Sequence, residues 1–289
     1  MDRCKKFLAV LSTAFILTSI AAAEENQDEK PSELLADEVE YNMDTGVATA
    51  KGNVSASTEK NKIPSSLNAD EVTYDMNSGV ITATGNVLLK HGTGKATGAK
   101  AMYNVKTMES YLVENVIVTR DDLKITCNSL RNNGQGHMQA DGNVIGTQTI
   151  LPNEKYPNGD TRTFKGEHVD FYPDDKKHVV IPTGGIVTSG DGTFTADHME
   201  GWLDEEHYIG TGNAHAISPP RQMEAGGDRV DYFGKDQGKA ILTGNAWAIQ
   251  ENNTIRGNRL TVYLADDKKI KVKPEEQKNS ETQTSDKPF

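Results

Sequence analysis

Aromatic residues make up only 6% of this chain and all hydrophobic types together 35%, too little for 289 residues to surround one thick globular core. Basic residues are also in deficit. There are 31 Lys and Arg against 42 Asp and Glu, a formal net charge of −11, and no basic block is long enough to follow a phosphate backbone, so nucleic acid is disfavoured as a partner. Cysteine is almost absent. Cys4 precedes the first apolar run, which leaves Cys127 alone; with no internal disulfide, ladder hydrogen bonds and packing must hold the fold. Cys127 lies in the strand-like run Lys124-Ile125-Thr126-Cys127-Asn128 and reads as a buried small hydrophobe rather than a reactive thiol.

What is present is glycine, 26 residues of it, mixed with Asn, Asp and Thr. This is the composition of many short strands joined by turns, and it excludes an all-helical chain. The two ends read differently from the middle. Arg3, Lys5 and Lys6 precede the apolar stretch Phe7 to Ile20 and then Ala21-Ala22-Ala23, so residues 1–23 are expected to be a cleaved secretory signal, followed by a flexible start over 24–33. An uncleaved anchor is the alternative, for which the apolar run is short of the roughly 20 residues that span a bilayer. Residues 268–289 lose all alternation and are expected to form a disordered tail.

Between the ends the chain repeats itself. Ala36-Asp37-Glu38-Val39-Glu40-Tyr41-Asn42-Met43-Asp44-Thr45-Gly46-Val47 and onward to Gly52-Asn53-Val54 matches Ala69-Asp70-Glu71-Val72-Thr73-Tyr74-Asp75-Met76-Asn77-Ser78-Gly79-Val80 and onward to Gly85-Asn86-Val87. Weaker copies start at Ala99, Cys127, Gly166, Ala196, Gly227 and Gly257, and the glycine-polar-apolar element returns at Gly142-Asn143-Val144, Gly212-Asn213-Ala214 and Gly244-Asn245-Ala246, with Glu114-Asn115-Val116 as a version without glycine. About eight units of about 30 residues result. Each reads as two or three strands of period two, with one apolar face that a single unit cannot cover, so neighbours must stack. The stretch Thr147 to Thr163, with Pro152, Pro157, Asn158 and Gly159, interrupts the series. It divides two domains or is a long loop within one continuous structure. The loop is favoured because the unit resumes on both sides, giving repeats over 34–148, a loop or linker over 149–163, and further repeats over 164–267.

These units, A-D-E-V-x-Y-x-M-x-x-G-V followed by G-N-V, resemble the repeating unit of the LptA/OstA lipopolysaccharide-transport proteins, strongly over 36–146 and moderately over 166–264. The resemblance implies an all-β fold, an elongated twisted β-jelly roll of two antiparallel sheets. It also implies a periplasmic bridge in which the glycolipid's acyl chains ride in an apolar groove between the sheets. Partners would be lipopolysaccharide and the related jelly-roll proteins of the inner- and outer-membrane complexes, joined by strand pairing, with head-to-tail self-association as a further possibility. Groove candidates are the alternating apolar positions Val39, Tyr41, Val72, Tyr74, Ile81, Val87, Leu89, Met102, Val116, Val118 and Ile125; the competing reading of each is ordinary core. If each unit gives one strand per sheet, eight strands at about 4.8 Å make a groove on the order of 40 Å long. Trp202 and Trp247 are expected to be core anchors.

Other chemistry finds little support. The repeat-equivalent acids Asp37, Asp70, Asp197 and Asp228 form either a cation-binding ladder or, the favoured reading, turn and sheet-edge groups. The 7 histidines lack ligand spacing, and no metal or cofactor is expected. Gly92-Thr93-Gly94-Lys95-Ala96-Thr97 fails as a phosphate loop because Ala96 replaces the hydroxyl residue. No enzyme is expected. A lipid-free scaffold is the main alternative to a carrier, and a β-helical polysaccharide-active enzyme a weaker one.

Overall fold

A computed structural model describes residues 30–60, 62–234, 237–251, 253–264 and 271–274. The expected signal and the residues up to 29 lie outside the described residues, as do 275–289. The chain is almost entirely β. The first strands are β1 (Lys30–Leu35), β2 (Glu38–Asn42), β3 (Val47–Lys60), β4 (Ile63–Asp75), β5 (Val80–His91) and β6 (Gly94–Asn104). They continue as β7 (Ser110–Arg120), β8 (Leu123–Asn132), β9 (Met138–Ile150) and β10 (Asp160–Tyr172). Four short strands follow: β11 (His178–Ile181), β12 (Gly185–Ser189), β13 (Gly192–Ala196) and β14 (His198–Trp202). The series closes with β15 (His207–Ser218), β16 (Met223–Phe233), β17 (Lys239–Gln250), β18 (Asn253–Tyr263) and β19 (Lys271–Pro274). All 19 strands belong to one sheet, and every pairing is antiparallel.

The two walls of the jelly roll are wings of this one sheet. Every second long strand carries an extra residue at mid-length, at Gly52-Asn53, Gly85-Asn86, Glu114-Asn115, Gly142-Asn143, Gly212-Asn213 and Gly244-Asn245. Both residues of each pair have positive φ, such as 70° and 48° at Gly52 and Asn53, and two successive left-handed residues cannot continue an extended strand. The bulges line up, and the sheet bends along their row. Before and after the bend the buried residues alternate, as with Ile81 and Ala83 then Val87 and Leu89 in β5. The apolar faces of the two wings thus turn toward each other.

The repeated acid holds this bend. Asn53 donates its amide to Asp37 at 2.9 Å, Asn86 to Asp70 at 2.9 Å, Asn213 to Asp197 at 2.7 Å and Asn245 to Asp228 at 3.1 Å. A Cβ on Gly52 or Gly85 would overlap the carboxylate of Asp37 or Asp70, so glycine leaves room for the acid that fixes its neighbour. The acids thus serve bulges, and no group of three metal-ligating side chains occurs among the described residues.

Turn chemistry shapes the outer tips. Asn42 Oδ1 accepts from the backbone N–H of Asp44 and of Thr45 at 3.0 Å, and Asp75 Oδ1 repeats this for Asn77 at 2.9 Å. Successive tips bond to one another through Met76 N to Gly46 O at 3.1 Å and Val105 N to Gly79 O at 2.9 Å.

Several expectations need correction. Each repeat supplies a hairpin of two long strands, hence two rungs to each wing rather than one. There are roughly fifteen rungs per wing, on the order of 70 Å at about 4.8 Å spacing. The interruption at Thr147 to Thr163 narrows to a loop over 151–159, with β9 and β10 pairing on either side of it from Ile150 and Asp160 to Met138 and Phe171 and one register shift at Gly166/His168. β19 pairs with β18 inside the stretch 268–289 expected as a tail. Trp202 and Trp247 stand on the outer face, because their neighbours Met199, Ala246 and Ala248 take the inward positions. Cys127 is buried, and burial followed by the nearby Asp141 charge pushes its thiol up to about 11.

Candidate functional site

The space between the wings is the candidate site. Of the groove candidates, Val72, Tyr74, Ile81, Val87, Leu89, Val116, Val118 and Ile125 are buried in the inward face of one wing or the other. Met102 is not brought to it. It points outward between the buried Ala101 and Tyr103, because the inward parity of β6 falls on the smaller and the aromatic residue. Val39 and Tyr41 are exposed at 54% and 36%. Their cross-strand partners are the buried Ala50 and Ala48, so both lie on the inner face at the N-terminal end, where no further rung among the described residues covers them.

Two cavities open along the seam where the tips of the wings face each other. One, of about 350 Å³, has Val118, Leu123, Ile125, Met138 and Phe171 inside and His91, Arg120 and Lys177 near its rim. The other, of about 130 Å³, lies toward the C-terminal end and is lined by Phe194, Met223, Leu242 and Leu264, with Tyr156, Arg162 and Glu206 also on its wall. A cavity of about 150 Å³ takes up a benzene-sized molecule.

Between the cavities the seam is latched by charge. Lys177, in the turn after β10, lies 3.2 Å from Asp122 across the seam and 3.1 Å from Asp204 beside it. Further along, the loop 151–159 brings Tyr156 into the interior. Its hydroxyl donates to Glu206 Oε1 at 2.6 Å and accepts from Arg162. Arg162 also reaches Glu206 Oε1 at 2.7 Å, the Tyr208 hydroxyl at 3.3 Å and Asp160 at 3.6 Å, while Lys155 meets Glu206 Oε2 at 3.0 Å. Arg162 and Glu206 are the charged side chains among the buried residues described.

The electrostatics keep this cluster ionised. Burial alone would raise the Glu206 carboxyl, but the bonds from Arg162 and Tyr156 outweigh it and hold the group at about 2. Burial alone would lower Arg162, and the Tyr208, Glu206 and Tyr156 oxygens around it raise it instead. Burial and the bond to Glu206 hold the Tyr156 hydroxyl protonated. The cluster binds its own members. It supplies no nucleophile and no proton acceptor near neutrality.

These residues escaped the sequence reading because repeat logic looks for what recurs. Arg162 takes the rung that Ser65 takes in β4, counting from the bulge-flanking pairs. A signal existed nonetheless: Arg162 sits two residues before the inward Phe164, where period-two alternation calls for an uncharged side chain.

The outer face of the same region carries a second unforeseen feature. His137, Tyr172, His178, Trp202, His207 and Phe233 stack ring on ring across successive strands, with centroid separations of 4.6, 5.4, 4.5, 5.3 and 4.7 Å. Their faces cover one another, which fits cross-strand stabilisation.

Comparison with known proteins bears on this arrangement. The family described as "LptA/(LptD N-terminal domain) LPS transport protein" matches residues 33–137 and 169–268. A crystal structure of LptH, the LptA homologous periplasmic component of the conserved lipopolysaccharide transport device from Pseudomonas aeruginosa, is similar at 22% identity, over 37% of this chain and 78% of that one, with a TM-score of 0.31. No curated protein matches the chain.

Proposed function

The chain belongs to the LptA/LptD N-terminal-domain family of lipopolysaccharide transport proteins, and from that premise we propose that it shields lipopolysaccharide acyl chains between its two wings while the glycolipid crosses the periplasm. The family is one of transport proteins rather than enzymes. The observation that carries the finer reading is the lining of the interior: aliphatic residues on both wings, from Val54 and Val72 to Leu260 and Val262, with charge confined to one place. For an acidic protein and an anionic ligand, affinity must come from hydrocarbon burial, at roughly 0.8 kcal/mol per CH2, and this interior offers that surface.

The ends of the sheet fit partners of the same architecture. β1 and β2 close one end, and β18 with the short β19 the other. In β18 the residues from Asn253 to Arg259 are all exposed. Among the described residues each end leaves a strand edge open to a further strand, from a second copy or from a related protein at either membrane. An N-terminal export signal would place the protein in the periplasm.

The test is lipid recovery. Protein isolated from its native envelope should carry lipopolysaccharide by mass spectrometry. Val39→Asp or Tyr41→Asp should reduce the yield severalfold without loss of folded protein, since both positions face inward yet are uncovered. Recovery without lipid would leave the scaffold reading, and full occupancy with both charges in place would mean that lipid does not contact the N-terminal end of the interior.

A further inference from the structure

The two cavities are separated by a stretch that is packed and charged. Phe164 lies over Gly146, Ile181 over Gly166, Met199 over Gly185 and Tyr208 over Gly201, each so close that a Cβ on the glycine would collide with it. In the N-terminal part the corresponding inward positions are often alanine, as at Ala48, Ala50, Ala69, Ala83 and Ala101. Glycine on one strand and a large side chain on the next narrow the interior here, leaving only about 20 Å³ among Phe164, Ile181, Met199 and Tyr208. Beside this packing stands the cluster of Tyr156, Arg162 and Glu206, joined at 2.6 and 2.7 Å around Glu206 Oε1. A hydrocarbon chain sliding through would have to displace the packing and part an ion pair, and it has no hydrogen bond or charge to offer in exchange. The family match lapses over 138–168, the stretch that contains Tyr156 and Arg162.

We infer that the interior is two acyl-chain chambers rather than one channel. The C-terminal chamber between Phe194 and Leu264 is a binding site in its own right, and the Tyr156–Arg162–Glu206 cluster is the partition. This rests on the carrier reading above and adds to it where lipid resides. A glycolipid held by both halves would span the seam over the partition with its chains divided; two glycolipids would sit one on each side.

The test is photocrosslinking of the full chain loaded with purified lipopolysaccharide, using a benzophenone amino acid at Leu123 in the first chamber or at Leu264 in the second. Both positions are half-buried and line their cavities. Val118→Asp should lower the Leu123 crosslink at least tenfold and leave that at Leu264 within about twofold; Val187→Asp should do the reverse. If Val118→Asp fails to fold, Val118→Trp fills the same cavity without a charge. Loss of both crosslinks on blocking either side would mean one channel and overturn the partition. A crosslink at Leu123 with none at Leu264 in the unaltered chain would overturn the second site, and in both cases the carrier reading would stand. With no crosslink at either position, that reading would fall as well.

Discussion

The molecule's N-terminal region, from β1 to β9, and its C-terminal region, from β10 to β19, share one sheet and one bend but stabilise it differently. The first packs Ala, Val, Leu and Ile inward and keeps its long strands whole from β3 to β9. The second breaks two rungs into the pairs β11/β12 and β13/β14, sets an aromatic stack on its outer face and buries an ionic cluster inside. An apolar interior can part and reclose over hydrocarbon with little change in what each side chain touches. A buried ion pair cannot, because each partner left alone retains its full desolvation cost. The regular region is therefore the more easily parted, and in the irregular one the ion pair ties wing to wing.

The sharpest way to break this comparison is at Glu206. Glu206→Ala leaves buried Arg162 with Asp160, at 3.6 Å, as its remaining ionic partner and should cost about 3 kcal/mol, read as a lowered urea midpoint. Arg162→Met with Glu206→Leu together should cost clearly less than the single change, because only Asp160, which keeps its backbone N–H bonds from Thr161 and Gly190, then loses an ionic partner. If the single and double changes cost the same, the cluster is not a buried pair in solution. The carboxylate also sets a pH dependence. Its folded value of about 2 lies below the ordinary 4.5, so its contribution is complete above about pH 4.5 and is lost as pH falls toward 2. Glu206→Gln should remove that acid-limb loss.

How much of this was legible in the sequence follows the same divide. Where Ala36 to Val54 and Ala69 to Val87 repeat, strand, turn and bulge are written in residue types with local consequences: Asn42 and Asp75 for the turns, Gly52-Asn53 and Gly85-Asn86 for the bend. Inward parity was readable there, as at Val72, Tyr74, Ile81, Val87 and Leu89. It failed at Met102 because β6 pairs two small residues, Ala96 and Ala101, with an inward Tyr103, and an apolar Met beside them looks like the core residue. Val39 and Tyr41 have the right parity but lack a neighbouring rung among the described residues, which depends on their place at the edge of the sheet and not on any local pattern. The partition was illegible for a different reason. Tyr156 and Glu206 are 50 residues apart, and only the closing of one wing on the other brings them together.

A smaller effect tests whether the bend depends on its acids. Gly85→Ala places a side chain at φ 72° and over the Asp70 carboxylate, which should cost about 2 kcal/mol in strain and in the lost Asn86 bond. Asp70→Ala in the same background should then cost little more, since the two changes disrupt one arrangement and are not additive. Equal and additive losses would mean that bulge and acid act independently.

The smallest expected effect concerns the one bulge without glycine. Glu114 is exposed and holds φ 65°, where the other five bulges place Gly at 70° to 75°. A left-handed side chain costs about 1–2 kcal/mol, and glycine gives back about 0.5–1 kcal/mol of unfolded-state entropy. Glu114→Gly should therefore stabilise the chain by about 0.5 kcal/mol, a rise of a degree or two in melting temperature. The sign is what matters. A gain would show that β7 bends by the same mechanism as its neighbours and carries local strain. A loss would mean that Glu114 makes contacts in solution that offset the strain, and that the N-terminal region is less uniform than its repeat.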